Sequence, residues 1–336
     1  MPRFLSIACV AFLLCGCWAR SGPEVVVYTA LDSEFSEPIF AEFTRQTGIV
    51  VRPKFDTEAT KTVGLANAIL AERGRPRCDV FWNNEILNTL RLRQEGLLAS
   101  YQPAVAETYP AMYRSPQGDW HGFAARARVL IVNTELVPEA EQPTSIRDLA
   151  DPKWRGKAGI AKPLFGTTAT HAACLFAHWG DDEAKRYFQD IRDNDVRILA
   201  GNKQVALSVA SGQLALGITD TDDAVIEREK GMPVEIVYPD QGDGGIGTLF
   251  IPNTLGIIAG GPNPREARRL VEYLLSSEVE ARLAAGPGAQ IPLGENVQAD
   301  LQVETPATVK AMQVDFEAAA DKWDVAASFI RDHFTR

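Results

Sequence analysis

The chain has 336 residues, of which 46% are hydrophobic and 23% are charged, and 34 basic residues against 44 acidic ones give a net charge of −10. This composition is typical of a globular protein and excludes a disordered, collagenous or coiled-coil chain. Nucleic-acid binding is not expected, because it requires clusters of basic residues that neutralise phosphates. The length predicts two domains.

The first residues have the pattern of a secretory signal. A basic start at 1–3 precedes the apolar run 4–14, which is too short to span a membrane as a mature helix. The run 14–17 (LCGC) resembles the bacterial lipobox, so we expect a signal peptide over 1–16 and lipidation of Cys17. Lipidation of Cys15, or cleavage a few residues later as in an ordinary signal peptide, is the alternative.

Two cysteines remain in the mature chain besides the lipidated one. Cys78 and Cys174 are far apart in sequence, and we interpret them as two buried thiols. A disulfide between them is the alternative in an oxidising compartment.

Apolar runs alternate with helical patterns along the mature chain. The predicted strands are 25–31, 49–55, 78–82, 126–133, 158–162, 196–200, 214–219, 234–238 and 249–259. The predicted helices are 35–47, 58–73, 85–95, 168–179, 183–193, 203–211, 222–230, 264–275, 277–284 and 312–334. This alternation indicates open parallel sheets covered on both faces. Ligands of such sheets bind at the carboxyl ends of strands, so the loops after Leu31, Trp82 and Thr219 are candidate sites.

Two motifs do not predict chemistry in their context. Residues 242–247 (GDGGIG) fit the pattern G-x-G-x-x-G, but a strand-like run follows where a dinucleotide fingerprint would open a helix. His171 and His178 lie seven residues apart on one predicted helix, which is typical of packing or surface histidines. No nucleophile is paired with a base, so the sequence does not predict an enzyme.

Several phrases, in the same order, resemble periplasmic substrate-binding proteins of ABC importers, and most closely the ferric-ion-binding branch. They are 27–30 (VYTA), 79–82 (DVFW), 94–98 (QEGLL), 126–129 (RARV), 148–157 (DLADPKWRGK) and 238–241 (YPDQ). The resemblance covers about residues 24–285 and implies an α/β, two-lobe periplasmic-binding-protein fold of type II. Each lobe would be an open, mostly parallel sheet flanked by helices, and crossing hinge strands would join the two. We expect an N-terminal lobe of 24–124 plus 253–300 and a C-terminal lobe of 125–252 plus 301–336.

The resemblance also indicates where a metal ion would lie. Members of this branch hold iron through two adjacent tyrosines after a second-lobe strand, and the matching positions here are Asp222 and Asp223. Some members add a histidine after the first strand, where this chain has Asp32, and a glutamate after the third strand, which we assign to Glu85.

The carboxylates themselves favour a cation. The candidate metal ligands all fall at predicted strand ends that face one cleft, and they are Asp32, Glu85, Asp220, Asp222 and Asp223. Confined carboxylates repel one another unless a cation neutralises them, and oxygen ligands suit hard metal ions. An amine could serve through charge-assisted hydrogen bonds. The alternative is that Asp220 or Thr221 caps a helix and the following acids lie in its first turn.

A second cluster favours an anion. Gly166, Thr167 and Thr168 precede or open a helix, where free backbone N–H groups and two hydroxyls can receive negative charge. Arg126 and Arg128 lie on one face of a predicted strand, and we expect them to point toward this turn, since Arg guanidiniums match carboxylate or phosphate. In the resembled family the matching turn binds the anion that accompanies the metal. An ordinary helix cap together with a salt bridge across the cleft is the alternative.

Three further side chains complete the candidate ligand-binding set. Asn84 lies in the loop after the third predicted strand. Tyr28 and Trp82 could line the cleft and stack on an organic cation. The alternative for both aromatic residues is packing in the core.

These observations predict a monomeric, lipid-anchored receptor in the cell envelope, in the periplasm or on the outer face of the membrane. It would close around a small ligand and deliver it to the permease of an ABC transporter. The expected ligand is iron(III) or another hard metal ion, with or without an anion, as cargo and not as a catalytic cofactor. A small cationic organic solute, such as a polyamine or a thiamine-like molecule, is the alternative. From another class, a metal-dependent envelope hydrolase would use the same carboxylates.

Overall fold

The computed structural model describes residues 22–56, 62–295 and 297–334. The strands are β1 Glu24–Thr29, β2 Val50–Phe55, β3 Val80–Asn83, β4 Leu98–Ala99, β5 His121–Asn133, β6 Ala158–Ala161, β7 Arg197–Leu199, β8 Leu216–Asp220, β9 Val234–Val237 and β10 Phe250–Ile258. The α-helices are α1 Ser33–Thr47, α2 Val63–Ala71, α3 Leu87–Gln94, α4 Gly166–Trp179, α5 Asp181–Asp193, α6 Asn202–Ala210, α7 Thr221–Glu229, α8 Pro264–Leu274, α9 Ser277–Ala285, α10 Phe316–Asp321 and α11 Trp323–Phe329. None of the helices in these ranges has the length and apolar character that crossing a bilayer requires.

The strands form one continuous mixed sheet in the order β2-β1-β3-β10-β5-β8-β6-β7. The outer groups are parallel, because β2, β1 and β3 pair in parallel at one end and β8, β6 and β7 at the other. The two central strands β10 and β5 are antiparallel to each other and to their neighbours. The prediction of parallel sheets is therefore correct for the outer groups, while the centre is antiparallel.

Strand β5 joins the two halves of the sheet. Its first part pairs with β10 up to Ala127, and from Arg128 onward it pairs with β8 and β9. All thirteen of its residues are buried, so its charged side chains must find partners inside the protein. The change of partner strand places Arg126 and Arg128 at the point where the two halves of the sheet meet.

Two facing glycines allow α6 to approach the sheet closely. Gly159 of β6 and Gly217 of β8 stand opposite each other in register. A Cβ on Gly217 would lie 2.5 Å from Cγ1 of Val205 in α6, closer than carbon atoms can pack. The absence of a side chain here lets α6 bring its first residue, Asn202, toward the end of β8.

The predicted elements agree with the structure except at the C-terminus and at some element ends. We predicted one helix over 312–334, but α10 begins only at Phe316, where Asp315 accepts hydrogen bonds from the backbone of the first turn. The chain before it pairs instead with Thr248, whose N–H donates to Lys310 O and whose carbonyl accepts from Met312 N. α10 and α11 are separated at Lys322, and a π-helical turn Ile330–Phe334 follows. For the predicted helix 58–73, residues 57–61 lie outside the described residues.

The C-terminal helices pack mainly on α4 and α5. The ring of Phe329 lies 6.1 Å from that of Phe176, and the ring of Phe334 lies 5.4 Å from that of Phe188. The Glu317 carboxylate of α10 also pairs with Arg93 of α3 in the first half of the chain, and the expected lobe boundaries stay a prediction. The two cysteines of the mature core, Cys78 and Cys174, are free and buried, as predicted.

Candidate solute-binding cleft

A polar cleft lies where the chain leaves β1, β3 and β8. The candidate residues that line it are Asp32, Asn84, Arg126, Thr167, Thr168, Asp220, Asp222 and Asp223. The cleft has a cavity volume of about 60 Å³. The expectation that acidic loop ends from both halves of the sheet share one crevice is therefore met by the positions of Asp32 and the three later aspartates.

Asp220 is the centre of a buried hydrogen-bond network. Arg128 Nη1 lies 2.6 Å from its Oδ1, and the Thr167 hydroxyl and the Asn202 amide donate to its Oδ2 at 2.5 and 2.9 Å. Three donors from β5, α4 and α6 thus converge on one carboxylate. This fixes the end of β8 against both helices.

Arg126 forms the second ion pair of the cleft. Its Nη1 lies 3.1 Å from Asp222 Oδ2 and 3.9 Å from Asp220 Oδ2, and the side chain is almost fully buried. Burial alone would lower the pKa of Arg126, but the carboxylates of Asp222 and Asp220 outweigh it and raise that pKa. The guanidinium therefore stays charged inside the cleft wall.

The three aspartates at the start of α7 form a compact oxygen cluster. One carboxylate oxygen from each of Asp220, Asp222 and Asp223 lies within 4.8 Å of the others. Asp222 and Asp223 belong to the first turn of α7, where the helix dipole stabilises negative charge. Such a cluster can offer several oxygen ligands to one hard cation.

Tyr28 and Trp82 do not line the cleft, which corrects their assignment as ligand-binding residues. The Tyr28 hydroxyl donates to the carboxylate of Glu72, and Lys54 Nζ lies 4.2 Å from the centre of its ring. Trp82 is fully buried against Phe40 and Phe123. The alternative interpretation as core residues is correct for both, because strand side chains point to the faces of the sheet and these two rings pack in the core there.

Glu85 also lies outside the lining of the cleft. Its carboxylate is fully buried and accepts hydrogen bonds from the side chains of Asn83 and Thr170 and from the backbone N–H groups of Leu87 and Asn88. Burial raises its pKa, against the effect of these donors. Glu85 thus ties the start of α3 to α4, and its assignment as a metal ligand is corrected by this placement.

Arg128 stands behind the cleft rather than in its wall. It is fully buried, and its Nη1 donates to Asn202 Oδ1 at 3.0 Å and to Thr167 Oγ1 at 3.4 Å, besides Asp220. The expectation that it is directed toward the turn of Thr167 is correct. Its assignment to direct ligand contact is not, since Asp220 lies between it and the cleft.

The helix-cap alternatives are resolved residue by residue. Asp220 holds the N-cap position of α7 but makes no side-chain cap hydrogen bond. Thr221 instead receives a hydrogen bond from Ala127 N at 3.1 Å. Thr167 and Thr168 likewise do not cap α4, since their hydroxyls donate sideways to Asp220 and Asn202.

Sequence analysis missed four charged or amide side chains of the cleft, namely Glu34, Lys162, Asn202 and Lys203. Asn202 follows a glycine at the start of a predicted helix, a position typical of polar residues near strand ends, and this signal could have identified it. Lys162 follows β6 and Lys203 lies in the first turn of α6, and nothing in the sequence around either lysine sets it apart.

This fold, with two groups of parallel strands joined by long antiparallel strands and a polar cleft at the junction, defines a type II periplasmic binding protein. The chain belongs to the family described as bacterial extracellular solute-binding protein, whose model matches residues 88–320. It is therefore a solute-binding protein of the transport class and not an enzyme, and the hydrolase alternative is set aside.

Several named proteins are similar to this chain. Iron uptake protein A1 of Synechocystis sp. is 26% identical over 271 residues, which cover 78% of this chain and 73% of that protein. The major ferric iron-binding protein of Neisseria meningitidis is 25% identical over 308 residues, which cover 89% of each protein. Iron-bound HitA of Pseudomonas aeruginosa superposes with a TM-score of 0.83 at 25% identity, over 92% of this chain and 99% of that structure.

Proposed function

We propose that this protein is the extracytoplasmic receptor of an ABC import system and that its cargo is iron(III) or another hard metal ion. The observation that carries the proposal is the oxygen cluster of Asp220, Asp222 and Asp223, within 4.8 Å of one another in the cleft. Asp32, which lines the same cleft from the end of β1, would add an oxygen from the opposite half of the sheet. A ligand held from both halves favours the closed arrangement by its differential affinity.

The charges of the cleft support a cation. Its lining contains five carboxylates, from Asp32, Glu34, Asp220, Asp222 and Asp223. Only three basic side chains, those of Arg126, Lys162 and Lys203, oppose them. The lining therefore carries two more acidic than basic groups, and because Arg128 pairs with Asp220 from behind the cleft, one negative charge is left for a bound cation to neutralise.

A stacked organic cation, such as a thiamine-like molecule, has less support from the residues around the cleft. The aromatic side chains expected to stack on such a ligand are buried elsewhere, with Trp82 in the core and Tyr28 hydrogen-bonded to Glu72.

The similar proteins support iron in particular, since two of them are named for iron uptake or ferric-iron binding and one was solved with iron bound. The ligands in this chain would differ in kind, with carboxylates at the positions where the resembled branch has tyrosines. Carboxylate oxygens are hard donors that suit Fe(III) as well as Mn²⁺ and Mg²⁺.

The place of the receptor in the cell is part of the proposal. Residues 1–21 lie outside the described residues. The lipobox-like run that ends at Cys17 would anchor the mature protein in the cell envelope by covalent lipid. The anchored monomer would pass its cargo to a membrane permease.

The test is a titration of purified receptor with iron(III), Mn²⁺, a polyamine and thiamine, followed by calorimetry. We expect saturable binding of one metal ion and none of the amines. The variant Asp222→Asn with Asp223→Asn should bind the metal at least about 10-fold more weakly, a loss of about 1.4 kcal/mol. Asp193→Asn with Asp195→Asn removes the same charge from exposed side chains and should leave affinity unchanged. Tight amine binding without metal binding would contradict the proposal.

A further inference from the structure

The donors of an anion-binding site converge in this protein on one of its own carboxylates. The Asp220 carboxylate accepts hydrogen bonds from Arg128 Nη1 at 2.6 Å, from the Thr167 hydroxyl at 2.5 Å and from the Asn202 side-chain amide at 2.9 Å. Thr167 lies in the first turn of α4, and Asn202 is the first residue of α6, so both helices present their positive ends here. Arg128 and Thr167 are nearly fully buried.

This donor set is the kind that proteins use for oxyanions. A guanidinium, a hydroxyl and an amide at two helix N-termini match the oxygens of a phosphate or a carboxylate. In this structure the carboxylate of Asp220 takes that place. Its Oδ1 is used by Arg128, and its Oδ2 is used by Thr167 and Asn202.

The same hydrogen bonds separate the role of Asp220 from that of its neighbours. A carboxylate has about four lone-pair sites. Protein donors already use three of the lone-pair sites of Asp220. In addition, Arg126 Nη1 lies 3.9 Å from its Oδ2. Asp220 thus has about one lone-pair site left for a metal ion.

We infer that Asp220 is a built-in anion, which fills the oxyanion position between α4 and α6 so that the receptor takes up its cation without an external anion. The statement about the cation rests on the proposed function; the statement about the oxyanion position does not. Removal of the Asp220 charge would leave Arg128, Thr167 and Asn202 without an anionic partner. The same donors would then bind an external oxyanion.

The test uses inorganic phosphate as the probe, in metal-free buffer, with Asp220→Asn in the full chain. The amide keeps the shape of the side chain and removes its charge. We expect Asp220→Asn to bind phosphate at least about 10-fold more tightly than the wild type, because a charge-assisted hydrogen bond to Arg128 becomes available. Asp195→Asn is the control, since it removes the same charge from an exposed side chain that does not line the cleft, and it should bind phosphate no better than the wild type. Adding Arg128→Gln to Asp220→Asn should abolish the gain in phosphate affinity.

Two results would overturn the inference. One is phosphate binding by Asp220→Asn that is no tighter than that of the wild type. The other is a wild-type receptor whose metal affinity rises strongly when phosphate is added. The second measurement needs no variant, so it decides the matter even if Asp220→Asn fails to fold. Because the phosphate titration contains no metal, a receptor that binds no metal would contradict the proposed function and leave the oxyanion test intact.

Discussion

The guanidinium of Arg126 lies 3.1 Å from the carboxylate of Asp222 inside the wall of the cleft. Both side chains are less than one-tenth exposed, so the pair is shielded from the solvent that weakens surface ion pairs. Arg126 thus acts as the counter-ion of a carboxylate that we assign to the metal. A bound cation must compete with it.

Replacement of Arg126 by glutamine should separate stability from affinity. The free energy of unfolding without metal should fall by about 3 kcal/mol, because Asp222 loses its buried partner. The affinity for a hard cation should rise at least about 10-fold, because the competing positive charge is gone. Chemical denaturation and calorimetry measure the two effects.

Arg155→Gln provides the control for Arg126→Gln. The ion pair of Arg155 with Asp195 has the same 3.1 Å separation but is largely exposed. Loss of this exposed pair should lower the free energy of unfolding by less than about 1 kcal/mol and leave the affinity for the hard cation unchanged. A weaker cation affinity in Arg126→Gln would contradict competition between Arg126 and the cation for Asp222.

The buried His171 should make stability depend on pH. Burial, followed by the positive charge of Arg128, lowers its pKa well below 6.5. Below pH 6.5 the unfolded chain takes up a proton at this residue and the folded chain does not, so the unfolding free energy falls as the pH falls. The slope is at most about 1.4 kcal/mol per pH unit. Glu85 acts with the opposite sign, because its pKa is raised by burial and stability is lost as pH rises above 4.5.

The variant His171→Gln isolates the contribution of the histidine. Between pH 7 and pH 5 its unfolding free energy should fall less steeply than that of the wild type. At pH 7 the side chain at this position is mostly neutral in both proteins. A difference in unfolding free energy between His171→Gln and the wild type at that pH therefore reports lost packing. Equal slopes would show that His171 gains a proton in the folded state as readily as in the unfolded state.

Gly217→Ala should weaken the fold and disturb the cleft. The added Cβ would lie 2.5 Å from Val205 Cγ1 and 2.9 Å from the carbonyl oxygen of Gly159. Overpacking of this kind costs about 1–3 kcal/mol. It should displace α6 and with it the hydrogen bond of Asn202 to Asp220. Thermal denaturation of Gly217→Ala and of Gly242→Ala measures the cost, and a Cβ on Gly242 meets nothing within 4 Å, so that variant should change stability by less than about 0.5 kcal/mol.

The variant Cys17→Ala tests the anchor. With no cysteine at this position no lipid can be attached there, and the protein should move from the membrane fraction to the soluble fraction of the cell envelope. Fractionation followed by immunoblotting measures the shift, with Cys78→Ala as the control that keeps the anchor. Continued tight membrane retention of Cys17→Ala would contradict lipidation at this residue.

Local patterns predicted most of the fold. Helix α1 ends at Gly48, whose left-handed backbone closes the helix, and the apolar spacing of Ile39, Phe40 and Phe43 forms its buried face. What local patterns could not predict is the partner of each strand, and for this reason the antiparallel centre of the sheet was missed. The C-terminal helix was overextended because its apolar periodicity continues past the cap at Asp315.

The candidate site was predictable where position in the chain decides it. Asp32, Asn84 and the acids after β8 follow strand ends, and strand ends meet at one edge of a sheet. The roles of Glu85 and Arg128 were not predictable, because each depends on donors far away in sequence, such as Thr170 and Asn202. Whether a carboxylate faces the cleft or is satisfied behind it is decided by such tertiary contacts.

The most direct test of a cation-binding cleft is native mass spectrometry with elemental analysis of the wild-type receptor, purified without added metal and again after exposure to iron(III). We expect one bound metal ion per chain, lost on treatment with a strong chelator and regained on addition of the metal. A receptor that stays free of metal under both conditions, or that carries an organic amine in its place, would contradict the account.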